Sequence, residues 1–150
     1  MSGVHNRVEV LHGVNLDMLG RRDPDHYGTI TLSELEVQIK RWAREMGLET
    51  TFFQTNDEGE FVEYLHRLPE LADAALVNAG AWTHYSWAIR DALEIAGVPT
   101  VEVHLSDVAS REEWRRKSVF EDLVADVISG EGPEGYRRGL EVLAKKLKQA

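Results

Sequence analysis

The chain has 150 residues, enough for a single domain over 1–150 that buries roughly 70% of the surface its unfolded form would expose. With 26 acidic residues against 17 Lys and Arg the formal charge is −9, which argues against a nucleic-acid partner, because phosphate-binding surfaces gather Lys and Arg on one face. Cysteine is absent, so disulfides, thiolate metal sites and Cys nucleophiles are excluded, and without a signal-like leader or an apolar run near the ~18 residues of a membrane span, a cytoplasmic protein with no membrane partner is expected.

Val8 to Leu11 reads as a first strand, followed by a loop with dense turn chemistry from Gly20 to Gly28. Thr31 with Glu34 is a capping box that opens a helix, Leu32, Leu35, Ile39, Trp42 and Met46 form one apolar stripe, and Gly47 closes it. Thr50 to Phe53, β-branched and aromatic, is a second strand. Asp57 with Glu60 caps a short helix expected to finish before Pro69. Ala74 to Val77 is a third strand, Tyr85 to Ala96 a helix closed by Gly97 and Pro99, and Thr100 to Val103 a fourth strand. Ser110 with Glu113 repeats the capping signature and predicts another helix. Leu123 to Ile128 fits helix or strand, and its β-branched content with the following Gly130 favours a fifth strand. Ser129 to Gly135 is a loop, and Pro133 then starts a helix over Glu134 to Lys148 with Tyr136, Leu140, Leu143 and Leu147 on one face. Five strands alternating with five helices predict an α/β, flavodoxin-like three-layer fold, a parallel sheet ordered 2-1-3-4-5 with helices on both faces.

In such a sheet, ligands bind beyond the carboxyl ends of the strands, at the point where strand order reverses. Three strands of this chain stop in polar, hydrogen-bonding residues: His12-Gly13-Val14-Asn15, Asn78-Ala79-Gly80 and His104-Leu105-Ser106. The loop Gly20 to Gly28, with Arg21, Arg22, His26 and Tyr27 between two glycines, reads as a lid over that rim. Arg22 lies five residues from Tyr27. A guanidinium about 4 Å from a phenol supplies about 4 kcal/mol at an effective dielectric near 20, roughly what ionising a phenol near neutral pH requires. Tyr27 is therefore a candidate base. His104 is a candidate general acid, and Glu102, two residues earlier on the same strand, shares its face and is placed to orient or charge the imidazole. Asn78 and His84 converge from the neighbouring loop, and the backbone N–H groups of Leu105 and Ser106 form a cradle for a carboxylate.

These residues carry a resemblance. Gly13-Val14-Asn15-Leu16 with Leu19-Gly20, Arg22-Asp23-Pro24 with Tyr27-Gly28, Gln54-Thr55-Asn56-Asp57-Glu58-Gly59-Glu60, Asn78-Ala79-Gly80-Ala81-Trp82-Thr83-His84, Arg90-Asp91-Ala92, Glu102-Val103-His104-Leu105-Ser106 and Arg111-Glu112-Glu113-Trp114-Arg115 occur in the order and spacing of the type II 3-dehydroquinate dehydratases. The chain resembles that family from about Val8 to about Leu143. The resemblance implies a cofactor-free hydro-lyase that removes water from 3-dehydroquinate, an anionic small molecule, to give 3-dehydroshikimate, in aromatic amino acid biosynthesis or quinate catabolism. It implies that Tyr27 is the base, that Arg22 makes it acidic enough, that Asn15 holds the enolate and that His104 protonates the leaving hydroxyl. It further implies that Asn78, His84 and Arg115 bind substrate hydroxyls, that Leu105 and Ser106 receive the carboxylate, and that Asp91 is contributed by a neighbouring subunit of a dodecamer built of trimers.

The chain departs from the family at Val14, usually Pro, which is expected to loosen the turn presenting Asn15, and at Asp107, usually Asn, which adds charge near an anionic substrate. Ala109 and Lys117 stand for common histidines, and Trp87 for a smaller residue. A paralogue dehydrating a related cyclic hydroxyketo acid therefore stays open. So do a non-catalytic flavodoxin-like binding module and a metal-dependent enzyme using His26, His84 and His104, although neither a Gly-rich phosphate turn after the first strand nor a matching carboxylate ligand is present.

Overall fold

The structure, a computed structural model, describes residues 5–149. Five parallel strands, β1 (Arg7–His12), β2 (Glu49–Gln54), β3 (Ala74–Asn78), β4 (Thr100–His104) and β5 (Asp126–Ser129), form one sheet in the order β2-β1-β3-β4-β5. The helices are α1 (Pro24–Tyr27), α2 (Leu32–Glu45), α3 (Glu58–Leu71), α4 (Trp87–Ala96) and α5 (Glu134–Gln149). Because side chains alternate along a strand, Val8 and Val10 of β1 pack with Leu35, Ile39 and Leu140 on the α2 and α5 face. Leu11 packs with Phe61, Leu65 and Ile89 on the α3 and α4 face. Both faces of the sheet are thus covered, and only the strand ends remain for chemistry.

The capping residues act as their chemistry requires. Thr31 accepts the Glu34 N–H while Glu34 accepts the Thr31 N–H, and Asp57 accepts the Glu60 N–H at 2.9 Å. The α4 helix begins at Trp87, two residues later than expected, because Ser86 is the cap, its hydroxyl accepting the Ile89 N–H at 3.1 Å.

Four expectations are corrected. The third helix does not stop before Pro69 but runs to Leu71. Pro69 sits in its last turn, where the missing N–H removes one bond, the Ala72 N–H still closes on Leu68 at 3.0 Å, and burial of Leu65 and Leu68 favours the extra turn. The helix expected from Ser110 is absent, replaced by 3-10 turns at Val108–Ser110 and Glu113–Arg115. From Arg111 to Lys117 the only large apolar side chain is Trp114, half exposed, so a helix there would have no face to bury. The fifth strand starts at Asp126 rather than Leu123, since Leu123 and Val124 donate to the Phe120 carbonyl in a turn before Ala125 reaches Thr100 at 2.7 Å. The segment Gly20 to Gly28 is not wholly loop: Asp23 caps the single turn α1, which carries Tyr27.

Two glycines bring the layers close enough to build the site. A Cβ on Gly80, whose φ is +63°, would lie 2.6 Å from the Val14 carbonyl oxygen, so only glycine lets the loops after β1 and β3 touch. A Cβ on Gly139 would lie 2.6 Å from the Leu76 side chain, and its absence sets α5 directly on the sheet.

Candidate active site

A cleft of about 520 Å³ opens at the strand-order reversal between β1 and β3 and extends to the end of β4. Asn15 and Leu16 follow β1, Asn78 and His84 come from β3 and its loop, and His104, Leu105 and Ser106 from the end of β4. Arg22 and Tyr27 reach in from the Gly20–Gly28 segment, and Arg111 and Arg115 from the segment after β4. Three guanidiniums therefore line one cleft of a chain with formal charge −9, a local field suited to an anionic ligand.

The Tyr27 oxygen accepts hydrogen bonds from Arg22 Nη2 at 2.9 Å and from Arg111 Nη1 at 2.5 Å. The Arg22 guanidinium carbon also lies 3.8 Å from the Tyr27 ring centroid. Arginine has no acceptor, so the phenolic hydrogen cannot be shared with either guanidinium. A phenolate at this oxygen would be compensated by two cations. Arg111 was not singled out from the sequence, because 84 residues separate it from Tyr27 and only the fold brings them together. Its side chain is 9% exposed, its Nη1 also approaches Ser106 Oγ at 3.4 Å, and its Nε has no hydrogen-bond partner among the described residues.

His104, which lines the same cleft, donates from Nε2 to Glu102 Oε2 at 2.5 Å. Glu102 is fully buried and also accepts from Thr83 Oγ1 and Ser118 Oγ, each at 2.6 Å. Burial works to raise this carboxyl, but the hydrogen bond and charge of His104 with the two hydroxyl donors outweigh it and hold Glu102 below the ordinary carboxylate range. The engaged Nε2 leaves Nδ1 as the ring nitrogen of His104 that is free of Glu102. The His84 ring lies 6.2 Å from the His104 ring at 18°, and its Nδ1 donates to the Lys117 carbonyl at 2.7 Å. Burial first, then the neighbouring His104 and Arg115 charges, lower the His84 pKa. Neutral His84 with its proton on Nδ1 offers Nε2 as an acceptor.

Asn15 has a φ of +70°, a left-handed conformation that Asn tolerates better than most residues. The turn that presents it is tied down despite Val14: the Asn15 N–H donates to Asn56 Oδ1 at 2.8 Å, and Gln54 Nε2 donates to the Gly13 carbonyl at 3.2 Å. Gln54 and Asn56, noticed in the sequence only as part of a motif, thus brace the β1 loop from β2. The Leu105 and Ser106 carbonyls are taken by the N–H groups of Gly132 and Gly130 at 3.3 and 3.0 Å. Asp107 turns out of the cleft and caps the Ala109 N–H at 3.2 Å, so the charge expected beside the ligand is directed elsewhere.

Asp91 is not brought to the cleft; it lies exposed on α4. Glu102 is present only behind His104. His26 pairs loosely with Asp23 at 3.9 Å, and among the described residues no group of three or more His, Cys, Asp or Glu is placed to hold a metal ion. No helix among them is long and apolar enough to cross a membrane.

The family model for dehydroquinase class II matches residues 6–144. The chain belongs to the class II dehydroquinase family. The class II relatives include a 3-dehydroquinate dehydratase of Syntrophotalea carbinolica, 49% identical over 95% of this chain and 97% of the relative. Another, from Thermotoga neapolitana, is 50% identical over 93% of this chain and 94% of the relative. The crystal structure of the type II dehydroquinase from Propionibacterium acnes superposes with a TM-score of 0.89 at 38% identity, covering 96% of this chain and 99% of that one.

Proposed function

We propose that this class II dehydroquinase carries out the reaction for which its relatives are named, loss of water from 3-dehydroquinate to give 3-dehydroshikimate, with Tyr27 as base and His104 as acid. The observation that carries the assignment is the convergence of Arg22 and Arg111 on one phenolic oxygen in a cleft that His104, paired with Glu102, also lines. Tyr27 takes a proton from the carbon beside the ketone, and the C–H electron pair moves into an enolate that Asn15 helps to hold. Collapse of the enolate breaks the C–O bond of the leaving hydroxyl, which takes a proton from His104 Nδ1 and departs as water. The Glu102 carboxylate holds the His104 ring through Nε2 and complements positive charge on it. Asn78, His84 and Arg115 hold substrate hydroxyls, and the N–H groups of Leu105 and Ser106 hold the carboxylate.

Residues 1–150 act as one catalytic domain, assembled as trimers into a dodecamer in the cytoplasm. Trp87, Asp91 and Ile95 recur at four-residue spacing on α4, and Trp87 and Ile95 are 61% and 69% exposed. An apolar stripe around an acid fits a neighbouring copy that receives Asp91 at its own cleft.

Purified protein mixed with 3-dehydroquinate should produce the ultraviolet absorbance of the conjugated enone. Tyr27→Phe, which keeps the ring between its guanidiniums, should lower kcat roughly a thousandfold with the fold intact. Turnover near that of the wild type in the variant would remove Tyr27 from the mechanism, and no product from the wild type would remove the function.

A further inference from the structure

Beneath the cleft floor lies a buried polar cluster that the mechanism above does not use. His12 ends β1 and Asn78 ends β3, and the two are partners in the strand register. Both side chains fall on the sheet face covered by α5, whose first turn supplies Tyr136, wholly buried. The Tyr136 oxygen is 2.9 Å from His12 Nε2 and 3.0 Å from Asn78 Nδ2. The Gly80 N–H donates to Asn78 Oδ1 at 3.1 Å, which fixes the amide end for end.

The Asn78 nitrogen carries two hydrogens, and one is given to Tyr136. The second belongs to a residue that lines the cleft and is the one left for a ligand. Tyr136, having accepted from Asn78, must place its own hydrogen, and His12 Nε2 is the acceptor within reach. That requires His12 to be neutral with its proton on Nδ1, a nitrogen buried without a hydrogen-bond partner among the described residues, and burial supplies the neutrality by pushing its pKa down to about 4. The Tyr136 hydroxyl is thus the link between the His12 ring and the Asn78 amide.

We propose that Tyr136, backed by His12, is a positioning residue that sets the Asn78 amide so that a donor faces the bound hydroxyketo acid. The proposal rests on the reading of Asn78 as a substrate ligand. Without the Tyr136 hydroxyl, one Asn78 hydrogen is left buried with no acceptor, and the amide turns to find one at the expense of the substrate.

The test is a double-mutant cycle in steady-state kinetics with 3-dehydroquinate. Tyr136→Phe should raise KM about tenfold, the equivalent of one hydrogen bond, with kcat within about twofold of wild type. In an Asn78→Ala background the same change should have no further effect on KM, because the amide it acts through is gone. A purely structural tyrosine would raise KM equally in both backgrounds, and that result overturns the proposal, as does an unchanged KM in Tyr136→Phe when Asn78→Ala alone raises it. If Asn78→Ala leaves KM unchanged, the reading of Asn78 as a ligand fails and takes the proposal with it. Should Tyr136→Phe not fold, His12→Leu replaces it: the hydroxyl then competes with the Gly80 N–H for Asn78 Oδ1, giving a smaller KM rise that again vanishes with Asn78→Ala. A KM unaltered by His12→Leu, or a rise that persists without Asn78, refutes the proposal in that arm.

Discussion

His12 should make this protein lose stability in mild acid. The ring is wholly buried, and burial lowers its pKa from 6.5 to about 4. Between those values an unfolded chain binds a proton that the folded chain refuses, so stability is complete above pH ~6.5 and falls as pH drops toward 4. At about 1.4 kcal/mol per pH unit, the loss amounts to about 3 kcal/mol, a large part of the 5–15 kcal/mol typical of a domain. His12→Asn removes the titrating ring. At pH 7.5 the variant should be less stable by about 1–3 kcal/mol, because Tyr136 loses its acceptor. Urea unfolding followed by the fluorescence of the four tryptophans, at matched protein concentration from pH 7.5 to 4.5, gives both curves. Contributions from Glu102 and His84 cancel in the difference between wild type and variant, which should shrink by roughly 2–3 kcal/mol over that range. Two parallel curves would show that His12 is not held neutral by burial and would refute the reasoning.

Arg111→Ala should lower kcat roughly a hundredfold, comparably to Arg22→Ala, since each removes one charged donor from the same Tyr27 oxygen; a loss confined to Arg22→Ala in the enone assay would show that one guanidinium suffices. Glu102→Gln keeps the two hydroxyl partners but removes the charge beside His104, and kcat should fall on the order of 10- to 100-fold with little change in KM. Native mass spectrometry of Trp87→Glu should show a smaller assembly than wild type, because a charge in the α4 stripe is buried without a partner when copies meet; an unchanged mass would place the subunit contact elsewhere.

The elements with local causes were legible in the order of residues. Apolar periodicity, the Thr31–Glu34 cap and the glycine after α4 each act over a few residues. The sheet order follows from alternating strands and helices, because parallel crossovers leave few alternatives. For the same reason the polar residues at strand ends located the cleft, and Glu102 with His104 was legible from a two-residue spacing on one strand. Features that depend on distant partners took shape only in the folded chain. Ser110 and Glu113 form a sound local capping pattern, yet the segment has no apolar face and instead follows the rim, held by Ser118 on Glu102 and by the Val119 N–H on Thr83. Arg111 acquires its role only when the chain brings it 2.5 Å from Tyr27, and Tyr136, which reads as one more apolar position of a helical stripe, becomes a polar partner of Asn78 only when α5 settles on the sheet over Gly139. Local patterns specify the backbone because the hydrogen bonds of helices and caps close within a few residues, whereas the contacts in and beneath the cleft join groups up to 124 residues apart and exist only in the packed chain.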